Sequence, residues 1–319
     1  MCVTVAIKLP RDPKTGKPIE GAKWRLAKIR DRAYTPKYNV KRYTVKEKGA
    51  SQLFLVDRDS DWTEGISIHE KGSFLSIVNS ALNNSFDKED DGTAKKKTSS
   101  NGVTDNGKIL RKVLKSHDIE EAVDIIENSK IDGCSLITDG DRLFVIETTI
   151  PPEVKNKYNK MREEGQHFDD VIPLEEYKSI VKEIKDDYLI VRTNHGIFNK
   201  DFGYQPKDGD SYTSSVKRRE YTIKAVEKNV FEPIDLITTL SKLGNEKIDK
   251  NPMFRPIRIG TEIYSTTIVQ TDPSGTMIVK PIECEFDVNN SINLITDKYL
   301  CHMVLLPFKS AMFESHMKI

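Results

Sequence analysis

A strand is written into this chain from its second residue, and that start limits what the rest can become. Residues 2–8 read Cys-Val-Thr-Val-Ala-Ile-Lys, a β-branched and half-buried run. Residues 11–21 carry Pro13, Gly16 and Pro18, the signal of a hairpin loop. Trp24 to Arg30 then supplies a mixed apolar and basic run that pairs back onto the first strand. Antiparallel pairing brings Lys28, Arg30 and Asp31 toward one end of the strand that carries Cys2. The sheet thus opens on a thiol with charges gathered beside it.

Further strands follow with turn signals between them. Ser51 to Asp57 is one; Ser73 to Leu82 is another, entered through Glu70-Lys71-Gly72 and carrying Asn79 near its end. Cys134 to Thr138 and Arg142 to Thr148 flank the Asp139-Gly140-Asp141 turn. Tyr188 to Thr193 runs into Asn194-His195-Gly196. Tyr264 to Gln270 and Met277 to Ile282 are joined through Asp272-Pro273-Ser274-Gly275, and Cys284 to Val288 follows. Helices are expected over Ile109 to Leu114, His117 to Glu127, Thr213 to about Val230 and Pro233 to Leu243. Asp118 reads as the cap of the second, whose Ile119, Ala122, Val123 and Ile126 stripe packs on a sheet, and Ser214 or Ser215 as the cap of the third. Residues 83–108 form a polar insertion and 151–185 a charged one, the latter with helix-like pieces over Tyr158 to Glu164 and Leu174 to Ile184. The expectation is α+β, one domain over residues 1–319.

The bulk properties exclude several classes. With 50 basic and 49 acidic residues the net charge is +1, so no global field attracts nucleic acid or an anionic membrane. The Lys95-Lys96-Lys97 run is nearly cancelled by Glu89, Asp90 and Asp91. No apolar run reaches the ~18 residues of a membrane span, and no signal-peptide pattern opens the chain. Cys2, Cys134, Cys284 and Cys301 are too far apart for a disulfide framework or a zinc signature, and no two histidines stand at metal-binding spacing. Phosphate-loop, dinucleotide and Gly-x-Ser-x-Gly motifs are absent. A cytoplasmic protein without cofactor or metal is expected; homo-oligomer formation is left open.

Chemistry concentrates at a few positions. If Met1 is trimmed, Cys2 carries a thiol and an α-amine on one residue, a nucleophile with a built-in base. Their unperturbed pKa values lie at about 8.5 and about 7.7–8.0, so proton transfer between them costs little. Asn79, among apolar neighbours, offers a neutral amide donor suited to an oxyanion. His195 offers a general acid–base group at a strand end. Arg218 lies in what reads as a basic first turn, unhelpful to a helix and so a candidate for another role.

The order of these pieces over roughly residues 1–285 resembles the N-terminal-nucleophile (Ntn) amide hydrolases with a cysteine nucleophile. Within them it is similar to the acyl-CoA:6-aminopenicillanate acyltransferase-like and choloylglycine hydrolase-like group. The stations that carry the likeness are Met1-Cys2, Leu26 to Arg32, Glu64 to Gly72 with the following Asn79, Glu121-Ala122, the Asp139-Gly140 hairpin ending at Glu147, Thr193-Asn194-His195 and Ser214 to Arg218. The resemblance implies a four-layer αββα sandwich of two antiparallel sheets flanked by helices. It implies cleavage of linear, non-peptide C–N amide bonds of small N-acyl substrates, or acyl transfer through the same acyl-enzyme. It implies Cys2 as nucleophile, Asp31 orienting its amine, Asn79 and Asn194 shaping the oxyanion site and Arg218 organising the pocket, with Lys28, Arg30 and His195 in support. The group's usual Arg three residues before the Asp is Lys28 here, and Ile29 replaces its Asn. Either Lys28 or Arg30 takes that Arg's place, and a non-catalytic binding module on an eroded site is the competing class.

Overall fold

A computed structural model describes residues 2–32, 37–45, 50–57, 63–69, 73–80, 82, 106–131, 133–164, 174–245, 258–259, 262–263, 265–282, 285–287 and 302–305. In chain order the first strands are β1 (Cys2–Arg11), β2 (Pro18–Arg32), β3 (Lys37–Val45), β4 (Ala50–Asp57), β5 (Thr63–His69) and β6 (Phe74–Ser80). Helices α1 (Asn106–Val113) and α2 (Ile119–Ser129) follow, then β7 (Gly133–Thr138), β8 (Leu143–Thr149), α3 (Pro152–Glu163), β9 (Lys178–Glu183) and β10 (Leu189–Arg192). The chain continues through α4 (Asp210–Asn229), α5 (Pro233–Asn245), β11 (Arg258–Ile259), β12 (Glu262–Ile263), β13 (Ser265–Asp272), β14 (Thr276–Ile282), β15 (Glu285–Asp287) and β16 (His302–Leu305).

Two large sheets hold all of these strands except β11 and β12, which pair with each other. One runs β10-β1-β2-β13-β14-β16 and the other β15-β3-β4-β5-β6-β7-β8-β9. Pairing is antiparallel except at the outer pairs β14·β16 and β15·β3. Successive side chains of a strand point to opposite faces, and here both faces are buried. From the six-stranded sheet, Val3, Val5, Ile7, Leu9, Ala27 and Ile29 pack outward on Val226, Leu236, Ile237 and Leu240 of α4 and α5. From the eight-stranded sheet, Phe54, Val56, Leu75, Ile77, Ile137 and Ile146 pack outward on Leu110, Val113, Ala122, Val123 and Ile126 of α1 and α2. Between the sheets, Ala6, Trp24 and Leu26 meet Val78, Leu136, Leu143 and Val145, while Val269, Met277 and Val279 meet Leu53, Leu55, Ile66 and Phe74. The packing order is therefore helix, sheet, sheet, helix.

Several expectations hold at residue level. Cys2 lies opposite Arg30 in the β1·β2 register. Asp118 caps α2, its Oδ1 accepting from the Glu121 amide at 2.8 Å while Glu121 accepts from the His117 amide at 2.7 Å. Others are corrected. Residues 178–183 are a strand rather than part of a helix: Ile180 packs into the inter-sheet layer and Val181 on the opposite, helix-covered face, an alternation only a strand gives. The preceding helix spans Pro152–Glu163. Helix α4 begins at Asp210 rather than at Ser214 or Ser215, so Arg218 is not in a first turn and the helix-dipole argument for it lapses. Strands β3, β5, β11, β12 and β16 were not anticipated. Residues 83–105, Cys284 and Cys301 lie outside the described residues.

Candidate active site

Cys2 is the first residue of β1, and its even-numbered companions Thr4 and Ala6 face the opposite sheet, so its thiol belongs to the inter-sheet layer. Only 6% of it is exposed. Beyond β10, whose Arg192 pairs with Thr4, the chain passes Cys2 at Asn194. The backbone nitrogen of Cys2 donates to Asn194 Oδ1 at 3.4 Å. From α4, Arg218 donates through Nη1 to the Cys2 carbonyl at 2.9 Å and through Nη2 to the same Asn194 oxygen at 3.0 Å. A guanidinium only donates, so these bonds fix the carboxamide with its oxygen toward Cys2 and Nδ2 on the far side. Both backbone groups of Cys2 are thus held by buried side chains.

Beneath Asn194 lies a hydroxyl network. Ser215, buried on α4, accepts from the Asn194 amide at 2.9 Å and lies 3.1 Å from Thr193 Oγ1 and 2.9 Å from His195 Nδ1. Thr193 Oγ1 donates to the Ser215 carbonyl at 3.0 Å. Ser215 Oγ donates its proton to Thr193 Oγ1, whose own proton goes to the Ser215 carbonyl, so His195 Nδ1 is the donor to Ser215 Oγ and carries the imidazole proton. Burial first, and then the charges of Arg192, Arg219 and Arg218, pull the His195 pKa down to about 4, so the ring is neutral at pH 7.

Among the described residues, three ion pairs cross between the sheets in the same layer: Lys28 with Glu64, Arg30 Nη2 with Asp57 Oδ2 at 2.9 Å, and Arg192 with Glu147. All six side chains are buried. Burial lowers the Lys28 pKa, opposed by the attraction of Glu64 and of Cys2 and aided by repulsion from Arg30. Glu147 has a second task. Its carboxylate accepts from the amides of Ile197 at 3.0 Å, Phe198 at 3.2 Å and Asn199 at 3.3 Å, tying down the loop that carries Asn194 and His195. Arg192 Nε also donates to Cys134 Sγ at 3.3 Å. The loop closes on itself where the Tyr204 amide donates to the Asn194 carbonyl at 3.0 Å.

The fold therefore brings together Cys2, Lys28, Arg30, Asn194, His195 and Arg218. Asp31 pairs through its backbone with Thr266, one residue beyond Arg30, and its side chain lies outside the description. Asn79 is a correction. Val78 faces the inter-sheet layer, while Leu75 and Ile77 face α1 and α2, so alternation sends Asn79 to the helix side. There its Nδ2 donates to Ser135 Oγ at 2.7 Å and its oxygen is buried without a hydrogen-bond partner. Its side chain is not in the Cys2 layer. Sequence reasoning had no role for Asp57 or Arg192, quoted Glu64, Glu147 and Thr193 only as points of likeness, and took Ser215 as a point of likeness and a helix-cap candidate. Among the described residues, no three His, Cys, Asp or Glu side chains converge as a metal ion would require. No described helix is long and apolar enough to cross a membrane. A scan against protein-family models and a search of curated proteins both give no match to this chain.

Proposed function

We propose that the protein is an Ntn amidohydrolase with the αββα Ntn fold, cleaving linear C–N amides of small N-acyl substrates in the cytoplasm through a Cys2 acyl-enzyme. The observation that carries this reading is the double clamp on residue 2. Asn194 and Arg218, both buried, hold its nitrogen and its carbonyl. A residue inside a strand has neighbouring backbone to satisfy those groups. Committing two buried polar side chains to them makes chemical sense where the nitrogen must keep a defined direction as an amine.

With Met1 removed, the α-amine takes the thiol proton and stays aimed by Asn194 Oδ1. The Cys2 thiolate, attracted to the Lys28 ammonium, attacks the amide carbonyl. Asn194 Nδ2 serves the tetrahedral oxyanion when the substrate carbonyl lies on the side of the carboxamide away from the Cys2 nitrogen, a contact of a kind worth roughly 3–4 kcal/mol. The amine returns its proton to the leaving nitrogen, the C–N bond breaks, and water resolves the thioester; an incoming amine in place of water makes the same site an acyltransferase. Asn79 has no part in this scheme. Its position on the other face, leaving one fewer amide donor, favours the second reading, a binding protein on the same fold.

One comparison separates them. In a panel of N-acyl amides, the trimmed protein turns over at least one and the Cys2→Ala variant turns over none while keeping its far-UV spectrum and melting midpoint. Undiminished turnover in Cys2→Ala ends the proposal. Slow alkylation of Cys2 in trimmed protein, no faster than at buried Cys134, favours the binding protein.

A further inference from the structure

We infer that Lys28 and Glu64 form a proton relay for Cys2, so that the thiol is activated even while Met1 is attached; this rests on Cys2 being the nucleophile of the proposed reaction. Lys28 stands opposite Thr4 and Cys2 opposite Arg30, which makes Lys28 and Cys2 diagonal neighbours on one face of an antiparallel pair. Such neighbours lie about 7–8 Å apart at the backbone, within reach of a long side chain. Across the gap, the Lys28 ammonium is in contact with the Glu64 carboxylate. Lys28 is 1% exposed and Glu64 3%. The ammonium is thus set between a carboxylate on one sheet and a thiol on the other, and it is electrostatically coupled to both.

That placement gives lysine a capacity arginine lacks. A guanidinium keeps its proton in a protein, whereas a buried lysine amine releases one readily. In a dry layer the ion pair and its neutral form, amine with carboxylic acid, approach each other in energy. The relay balances as follows. The Lys28 N–H bond breaks and a Glu64 O–H bond forms; the neutral amine then takes the Cys2 S–H proton. The result is thiolate, ammonium and carboxylic acid, with no charge created. When the amide C–N bond breaks, the same proton returns from Glu64 through Lys28 to the leaving nitrogen. Burial of Lys28 favours the neutral amine the relay needs. Arg30, the second cation of the layer, is paired with Asp57.

The test uses two forms of the full chain, one trimmed to Cys2 and one retaining Met1 after expression with methionine aminopeptidase inhibited. Each is alkylated with iodoacetamide and read by peptide mass at Cys2 and Cys134, as wild type and as Lys28→Arg. The relay predicts that Cys2 with Met1 attached labels within about tenfold of the trimmed form. It also predicts that Lys28→Arg slows this at least about tenfold, the effect of one pKa unit on the thiolate fraction, with Cys134 unchanged. Cys2 inert under Met1 but fast when trimmed overturns the relay and leaves the amine-based mechanism standing. Fast labelling that ignores Lys28→Arg also overturns it. A thiol inert in both forms overturns the relay and the proposed function together. The wild-type comparison stands even if Lys28→Arg fails to fold.

Discussion

Replacing Glu147 by Gln tests the idea that an ion pair between the two sheets holds the Cys2 clamp in place. The substitution keeps volume and removes one negative charge. Glu147 is fully buried and Arg192 is 1% exposed. Without the carboxylate, the guanidinium retains, among the described residues, Cys134 Sγ at 3.3 Å, the His195 carbonyl at 3.5 Å and the face of the Phe198 ring at 5.8 Å. Removing one member of a buried pair costs about 3–5 kcal/mol, because the survivor is left uncompensated. The loop amides of 197–199 contribute less, since the carboxamide oxygen still accepts from some of them and each such bond is worth about 0.5–1.5 kcal/mol. The ion-pair loss alone, about 3–5 kcal/mol, is a large share of the 5–15 kcal/mol typical of a folded domain. Urea unfolding reads it: at a slope near 3 kcal/mol/M the midpoint falls by about 1–1.7 M. The double variant Glu147→Leu with Arg192→Met removes both charges and recovers much of the loss, because a buried pair exchanged for apolar groups is often near neutral. Cys2 labelling does not recover with it, since the loop amides lose their acceptor. A midpoint shift under 0.3 M in Glu147→Gln, roughly 1 kcal/mol on that slope, refutes the reasoning. So does a double variant as unstable as the two singles added together.

Gly203 has φ +71°, and a Cβ there meets the Asn194 carbonyl oxygen at 2.5 Å and His195 Cα at 2.9 Å. Gly203→Ala therefore costs about 1–2 kcal/mol in left-handed backbone plus the shift of Asn194. It lowers the melting midpoint and changes Cys2 alkylation; a variant matching wild type in both counts against the clamp. For His195, the folded pKa of about 4 lies below the unfolded value of about 6.5. The unfolded state binds more protons between these values, so the His195 contribution is complete above pH 6.5 and is lost as pH falls toward 4. The loss is about 1–3 kcal/mol after discounting solvent screening at the ring's open side, and His195→Gln flattens that part of the pH–stability curve; an unchanged slope refutes it. Arg11 donates to the carbonyls of Val230 at 2.9 Å and Gly16 at 2.6 Å and lies over the Tyr188 and Phe231 rings. Arg11→Met frays the end of α4 at a cost of about 2–3 kcal/mol by urea unfolding; a loss under about 0.5 kcal/mol, the size of an ordinary surface substitution, excludes the capping role.

What the sequence makes legible is local. The Cys2–Arg30 pairing follows from a loop with two prolines and a glycine between two strand-like runs, and the α2 cap from Asp118 with Glu121 three residues on. Residues 174–184 misled because Leu174, Ile180, Val181 and Ile184 admit a helical spacing. The decision lay with β8, which pairs with them from Phe144 to Thr149. Asn79 misled because a motif gives a residue's order along the chain and not the face of the sheet it takes. That face was recoverable: Val78 is apolar toward the partner sheet, and a one-residue step turns the side chain away.

The ion pairs were hidden for a different reason, and their pattern shows how to find them. Each charged residue continues the inward alternation of an apolar strand: Leu53 and Leu55 lead to Asp57, Leu26 leads to Lys28 and Arg30, Ile66 precedes back to Glu64, Val145 leads to Glu147 and Ile190 to Arg192. Period two therefore places every one of them between the sheets, and a buried charge demands a partner. With three carboxylates and three cations assigned to one layer, the only open question is which meets which, and that depends on how two sheets slide over each other, which no local pattern records. The same slide sets Glu64 against Lys28. In doing so it leaves the one cation able to release a proton beside the thiol, so the character of the Cys2 site is decided by sheet packing as much as by the residues that compose it.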